Sequence, residues 1–327
     1  MAQVTSEPAA GVPVEPELVS VEVSQQVIGR TPWELFWRRF RKDKFALGGL
    51  VIVVFMIAIG LLAPVIASFT HDPNDVNLAQ LDSFGIPLGP NSEYYFGADT
   101  AGRDLFTRVM YGARTSLFIA FFATGLATLI GVILGVLAGF YRGKVDTVIS
   151  RTIDVVLSLP VLLLALGLVS ACGVSAEGCL GGLIKPGLLL VSYVIALFTW
   201  PYIARIVRGQ VLSLREKEFV EAARSLGSTN RRIMFREILP NCVASIIVYT
   251  TLIIPSNILF EAALSFLGVG VPQETPSWGR QLADAGTIFT VAWWMMLFPG
   301  LFLFLTTLAF NMVGDGMRDA LDPRTGG

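Results

Sequence analysis

Histidine is almost missing from this chain: His71 is the only one among 327 residues. That nearly excludes imidazole-ligated metal sites and Ser–His–Asp catalysis, and His71 itself reads as a solvated loop residue. Charge is also scarce, at 15% of residues, where a soluble domain carries about 25%. Cysteine is limited to Cys172, Cys179 and Cys242, and metal binding by the Cys172 and Cys179 thiols alone is not expected. There is no G-x-x-x-x-G-K-[ST] phosphate loop, so the chain does not hydrolyse ATP by itself. H-E-x-x-H and nucleophile-elbow motifs are missing as well. Basic residues alternate with acidic ones and form no tract suited to nucleic acid.

What fills the space is apolar. Hydrophobic residues make up 54% of the chain and the mean hydropathy is +0.66. Six runs, at about 46–68, 115–140, 152–171, 187–206, 244–267 and 290–313, are each long enough to cross a hydrocarbon layer of about 30 Å. The expected fold is an all-α integral membrane protein with six transmembrane helices. Residues 1–30 read as a disordered tail, not a signal peptide. Residues 31–44 read as an interfacial amphipathic helix. Thr31, Pro32 and Glu34 make a helix start, and Trp33, Phe36, Trp37 and Phe40 form an aromatic stripe beside Arg38, Arg39, Arg41, Lys42 and Lys44. The six-span domain is expected over 45–314, with an outer loop at 69–114, an inner loop at 207–243 and a tail at 315–327. If the N-terminus lies inside, nineteen of the 24 Lys and Arg residues lie on the inner side. The excess of inner basic residues then puts both termini and the 207–243 loop in the cytoplasm.

Within the spans, Gly131, Gly135, Gly139 and Gly143 recur every four residues, as helices in close contact require. Asp154 reads as an interface charge, and Pro160 and Trp200-Pro201 as kinks. Cys172 and Cys179 sit in an outer loop, either bonded to each other or as reduced thiols. Asn257 and Glu261 lie in the fifth span. An ionisable residue there is either a path residue or satisfied by solvent or a loop.

The segment Leu214–Pro240 is the longest polar, helix-forming stretch between two apolar spans. Phe219, Ala222, Ala223 and Leu226 form one apolar stripe at helical spacing. Gly227 suits the left-handed closing position of a helix, Ser228 a second cap, and Pro240 that second helix's end. Pattern alone leaves an ordinary amphipathic loop on lipid headgroups equally open.

Glu221-Ala222-Ala223, Gly227 and Leu239-Pro240 resemble the EAA loop of permease subunits of bacterial ATP-binding-cassette (ABC) importers. The Ile238-Leu239-Pro240-Asn241 form is similar to the dipeptide/oligopeptide/nickel branch. One departure is Glu237, where the family usually has Ile. Three further segments resemble that branch: Gly97–Arg114, Glu261–Ala285 and Asn311–Arg324. The resemblance implies the type I ABC importer permease fold, with the EAA loop as a coupling helix. It implies ATPase docking through Phe219, Glu221, Ala222, Ala223, Arg224 and Gly227. It implies a second homologous permease, two cytoplasmic ATPases that use ATP and Mg, and an extracytoplasmic substrate-binding protein, in a bacterial cytoplasmic membrane. No cofactor is expected on this chain. Glu261, Asn257, Arg103 and Asp104 are candidates for the path or an outer gate, with a lid tied by Asp–Arg pairs as the alternative for Arg103 and Asp104. Two other classes stand against this: an ion-driven secondary transporter, which the scarcity of ionisable residues within the spans opposes, and a membrane-embedded enzyme, which lacks a cluster of reactive groups.

Overall fold

The structure is a computed structural model that describes residues 32–173, 178–179 and 184–321. The expected tail at 1–30 lies outside them, as do Asp322–Arg324. In a hydrocarbon layer each backbone polar group must be satisfied within the chain, so the apolar runs become helices. The described residues form eleven α-helical segments, with three isolated β-bridges in the connections. The helices are α1 (Pro32–Phe40), α2 (Lys44–Phe69), α3 (Leu105–Tyr141), α4 (Gly143–Ser158), α5 (Val161–Gly173), α6 (Leu188–Leu214), α7 (Glu218–Ser225), α8 (Asn230–Arg232), α9 (Leu239–Phe266), α10 (Trp278–Ala285) and α11 (Trp294–Leu321). Five helices are long and apolar enough to cross a membrane, or six if the bent pair α4–α5 counts as one span.

The centre of the molecule is the seam between α3 and α6. A Cβ on Gly131 would lie 2.9 Å from the Trp200 carbonyl oxygen, one on Gly135 2.7 Å from that of Ala204, and one on Gly139 2.7 Å from the Val211 Cβ. Those distances are closer than side chains tolerate, so the two backbones touch only because these positions are glycine. Gly143 is not part of the seam. It follows Arg142 in a left-handed turn (φ 55° and 56°) and faces open space. Around the seam, α2 and α9 pack on α3, and α11 packs on both α2 and α9.

Several expected boundaries move. The third span is not straight: α4 and α5 meet at 88°, because Pro160 cannot continue the α4 hydrogen-bond ladder. α4 keeps only Ile153 buried and is tied to its neighbours by ion pairs, Asp146–Arg208, Asp154–Arg205 and Arg142–Glu216. The second span starts at Leu105, where the Asp104 carboxylate accepts from the Phe106 and Thr107 N–H groups. The outer loop therefore ends before 105, not at 114. Pro240 does not end a helix. α8, the π-helical turn Ile233–Ile238 and α9 run on as one helix from Asn230 to Phe266; the wider turn accommodates a residue with no N–H. The expected tail at 315–327 begins as helix, since α11 continues to Leu321 with Gly316 and Ala320 buried. α1 is less interfacial than its stripe implied: Phe36 and Phe40 are buried among α2 and α11 residues, while Trp37 remains exposed under the Arg41 guanidinium. Cys172 and Cys179 form a disulfide with Cα atoms 4.9 Å apart; the Cys242 thiol is buried and free.

Because the α3–α6 seam has no room for side chains, Gly135→Leu is expected to destabilise the chain by about 1–3 kcal/mol. Gly125, which faces open space, should tolerate the same change. A thermal melt of both variants in one detergent checks the contrast, and equal losses would remove the packing argument.

Candidate functional site

Three regions carry the unusual chemistry: the α7 turn, a groove between α5, α6 and α9, and the polar network at the opposite end of the bundle. α7 is a short helix held by one deep contact. Val220 is fully buried among Ile233, Met234 and Ile238. Arg215 and Arg224 place their guanidinium groups over the Phe140 ring at 5.8 and 5.9 Å, and Arg215 Nη1 donates to the Phe140 carbonyl oxygen. Burial, then repulsion from Arg142 and Arg224, lowers the Arg215 pKa. Gly227 (φ 78°) closes α7: the Ser228 N–H donates to the Ala223 oxygen and the Gly227 N–H to that of Arg224, the pattern a left-handed glycine allows. The second cap is Thr229, not Ser228; its Oγ1 accepts from the Arg232 N–H.

The expected apolar stripe of α7 does not turn inward as a unit. Phe219, Ala222 and Leu226 are exposed, with Leu226 86% accessible, and only Ala223 is partly covered. Glu218, Glu221 and Arg224 are exposed beside them. The inward anchor, Val220, was missed because the stronger period passed through Phe219. The outward surface is thus apolar residues ringed by charge, a composition suited to a protein partner.

The groove has a volume of about 610 Å³ and is lined by Phe198, Thr199, Tyr202, Tyr249, Ser256 and Asn257, with apolar neighbours. Asn257 forms part of its floor. Its Nδ2 donates to Thr124 Oγ1 at 2.8 Å and its Oδ1 accepts from Thr199 Oγ1 at 3.0 Å, which joins α3, α6 and α9. Among the described residues, no charged side chain lines this groove.

Glu261 does not reach the groove. Its side chain is fully buried and accepts from Ser116 Oγ at 2.9 Å and Ser265 Oγ at 2.7 Å. Ser116 also accepts from the Trp278 N–H. The carboxyl group therefore joins α3, α9 and the start of α10, and neither solvent nor a cation satisfies it among the described residues. Arg103 and Asp104 are both held in a polar network beside the start of α3. Arg103 Nε donates to Asp99 Oδ2 at 2.7 Å. Arg108, also buried, lies 3.3 Å from that carboxylate and donates to the Pro73 and Gln273 carbonyls. Asp104 caps α3 and lies 3.6 Å from the His71 ring. His71 is accordingly partly buried in this network, not a free loop residue. Beside it, burial raises the Asp284 pKa against the opposing pull of Arg280.

Comparison with known proteins settles the class. Residues 131–327 match the family of binding-protein-dependent transport system inner membrane components. This chain belongs to that family. Residues 31–85 of the permease also match the N-terminal transmembrane domain of oligopeptide transport permease C. The dipeptide transport system permease protein DppC of Alkalihalophilus pseudofirmus is 41% identical to the permease, over 94% of this chain and 95% of its own length. The glutathione transport system permease protein GsiD of Escherichia coli O157:H7 is 40% identical, over 91% and 92%. The fold is also that of a chain from the inward-facing MetNI methionine ABC transporter, at a TM-score of 0.55 and 20% identity, covering 67% of this permease and 98% of that chain. The permease is thus a type I ABC importer subunit, which sets aside the secondary transporter and the membrane-embedded enzyme.

The serine cage gives a test. Glu261→Gln keeps an oxygen that accepts from one serine and gives the other an amide N–H to accept, and should leave the melting temperature nearly unchanged. Glu261→Leu leaves buried hydroxyls unpaired and should lose about 1–3 kcal/mol. Equal thermal shifts for the two variants would show that hydrogen bonding to this side chain does not hold α10.

Proposed function

We propose that the permease forms half of a peptide-import path and is driven through α7 by a cytoplasmic ATPase. The carrying observation is the shape of α7: one buried valine, a glycine-closed turn, and an exposed face of Phe219, Ala222 and Leu226 edged by Glu221 and Arg224. A surface of that kind needs a partner. A second homologous permease would complete the path, two ATPases would dock at the α7 end and use ATP and Mg, and an extracytoplasmic binding protein would deliver cargo. The excess of Lys and Arg on the α7 side of the spans supports α7 and both termini lying in the cytoplasm of a bacterial cell.

The groove supports the path. Polar side chains facing lipid are costly, so Tyr202, Tyr249, Ser256 and Asn257 are better accounted for by a water-filled passage between two permeases. Peptide cargo fits the names of the dipeptide and glutathione relatives. It also fits the groove chemistry: neutral hydroxyl, amide and aromatic groups meet peptide groups without selecting one side-chain charge. Rigid-body motion of the docked ATPases would reach the groove through α9, since the helix beginning at Asn230 is continuous with it.

Affinity purification of the tagged chain from native membranes tests this. The parent should bring down a second permease and ATPase subunits. A variant carrying Gly227→Pro and Glu221→Lys should keep the permease and lose the ATPases, because proline cannot adopt φ near +78° at Gly227 and the reversed charge disturbs the docking face. A parent preparation without any ATPase would end the proposal.

A further inference from the structure

At the end of the bundle opposite α7, the arginines fall into two groups. Arg103, Arg108 and Arg280 each face a carboxylate, of Asp99, Asp99 and Asp284 respectively. Arg114 differs: it is exposed and forms no ion pair among the described residues. Its backbone packs against α2, where a Cβ on Gly60 would lie 3.1 Å from the Arg114 Cα.

Arg114 opens into a cavity of about 420 Å³, separate from the groove, whose walls include Asn74, Tyr111, Thr115, Phe118 and Glu274. Glu274 is likewise exposed and unpaired among the described residues. One cation and one anion thus share a small cavity without being bonded to each other, beside neutral hydrogen-bonding groups and an aromatic ring. The buried Arg108 braces both walls, since its guanidinium holds the Pro73 and Gln273 carbonyls next to Asn74 and Glu274. The walls are therefore fixed before any ligand arrives, which lowers the ordering cost of binding.

We propose that this cavity is an entry subsite for the free termini of a short zwitterionic peptide, with Arg114 taking the α-carboxylate and Glu274 the α-ammonium. A guanidinium pairs with a carboxylate through two parallel hydrogen bonds, and a carboxylate accepts from an ammonium. The subsite deepens the peptide reading given above and rests on it: the cavity would read the ends that all unmodified peptides share, while the neutral groove beyond ignores what lies between them. Arg114 and Glu274 are specificity-determining residues in this assignment, and Arg108 is a positioning residue.

The test uses the whole importer in proteoliposomes, with its binding protein. The probes are trialanine, its C-terminal amide and its N-acetyl derivative, each supplied at a concentration that saturates the binding protein as measured by calorimetry. The parent should import trialanine about tenfold faster than either derivative, the size of one charge-assisted hydrogen bond. Arg114→Gln should lose the preference over the amide yet keep that over the acetylated peptide. Glu274→Gln should do the reverse, and Arg114→Lys should restore part of the first preference. Both glutamine variants should still co-purify with their ATPases, which shows that they fold. Unchanged preferences in intact variant complexes would overturn the subsite alone. A parent importer that moves no trialanine would overturn the peptide reading together with the subsite.

Discussion

Contact between the backbones of α3 and α6 sets the geometry of everything else. Glycines at 131, 135 and 139 let the two helices touch along the halves nearer α7, and each helix then delivers one end to a different task. The Tyr141 end of α3 supplies Phe140, on which Arg215 and Arg224 rest. Its first half supplies Ser116 to the Glu261 cage and its backbone to α10, where Trp278 Nε1 and Gln281 Nε2 donate to the Val109 and Arg108 oxygens. α6 contributes Thr199 and Tyr202 to the groove and runs on toward α7. A side chain at any of these three glycines would push α3 and α6 apart.

The distribution of charge follows from the same arrangement. At the α7 end, ion pairs fasten α4 to α6 and to the start of the segment that carries α7. These pairs are partly exposed, so each is worth little alone, and their value is in fixing where the bent half-span lies. At the opposite end the Asp99 carboxylate is shared by two buried arginines, where loss of one partner would strand a charge in a dry site. One end of the permease is thus compliant and the other stiff.

Much of this was legible in the sequence, and the misses have physical causes. The apolar runs, the glycine spacing and the bend at Pro160 are local signals, and each appears in the fold close to its expected place. Gly227 was legible because a left-handed helix closure has few alternatives to glycine. Helix ends were not, because α3, α6 and α9 run on past the hydrophobic stretch and their polar extensions have no contrast in hydropathy. Pro240 misled because a proline usually stops a helix; a π-turn before it is a backbone remedy with no residue signature. Val220 and the serines around Glu261 could not be found from one segment, since each is defined by a partner at least one helix away, such as Ile233 or Ser116.

The uninterrupted helix from Asn230 to Phe266 has a mechanical consequence. At 1.5 Å per residue it is a rod of about 55 Å, longer than the hydrocarbon layer it crosses by nearly a factor of two. Its first turns lie against α7 and its far end carries Glu261, pinned to α3 by the Ser116 hydroxyl. A rod clamped at one end and pushed at the other pivots about the clamp. Displacement from a push at the α7 end would be largest there and shrink toward the pin, so the Tyr249–Asn257 stretch between them would swing while the Glu261 end keeps its place.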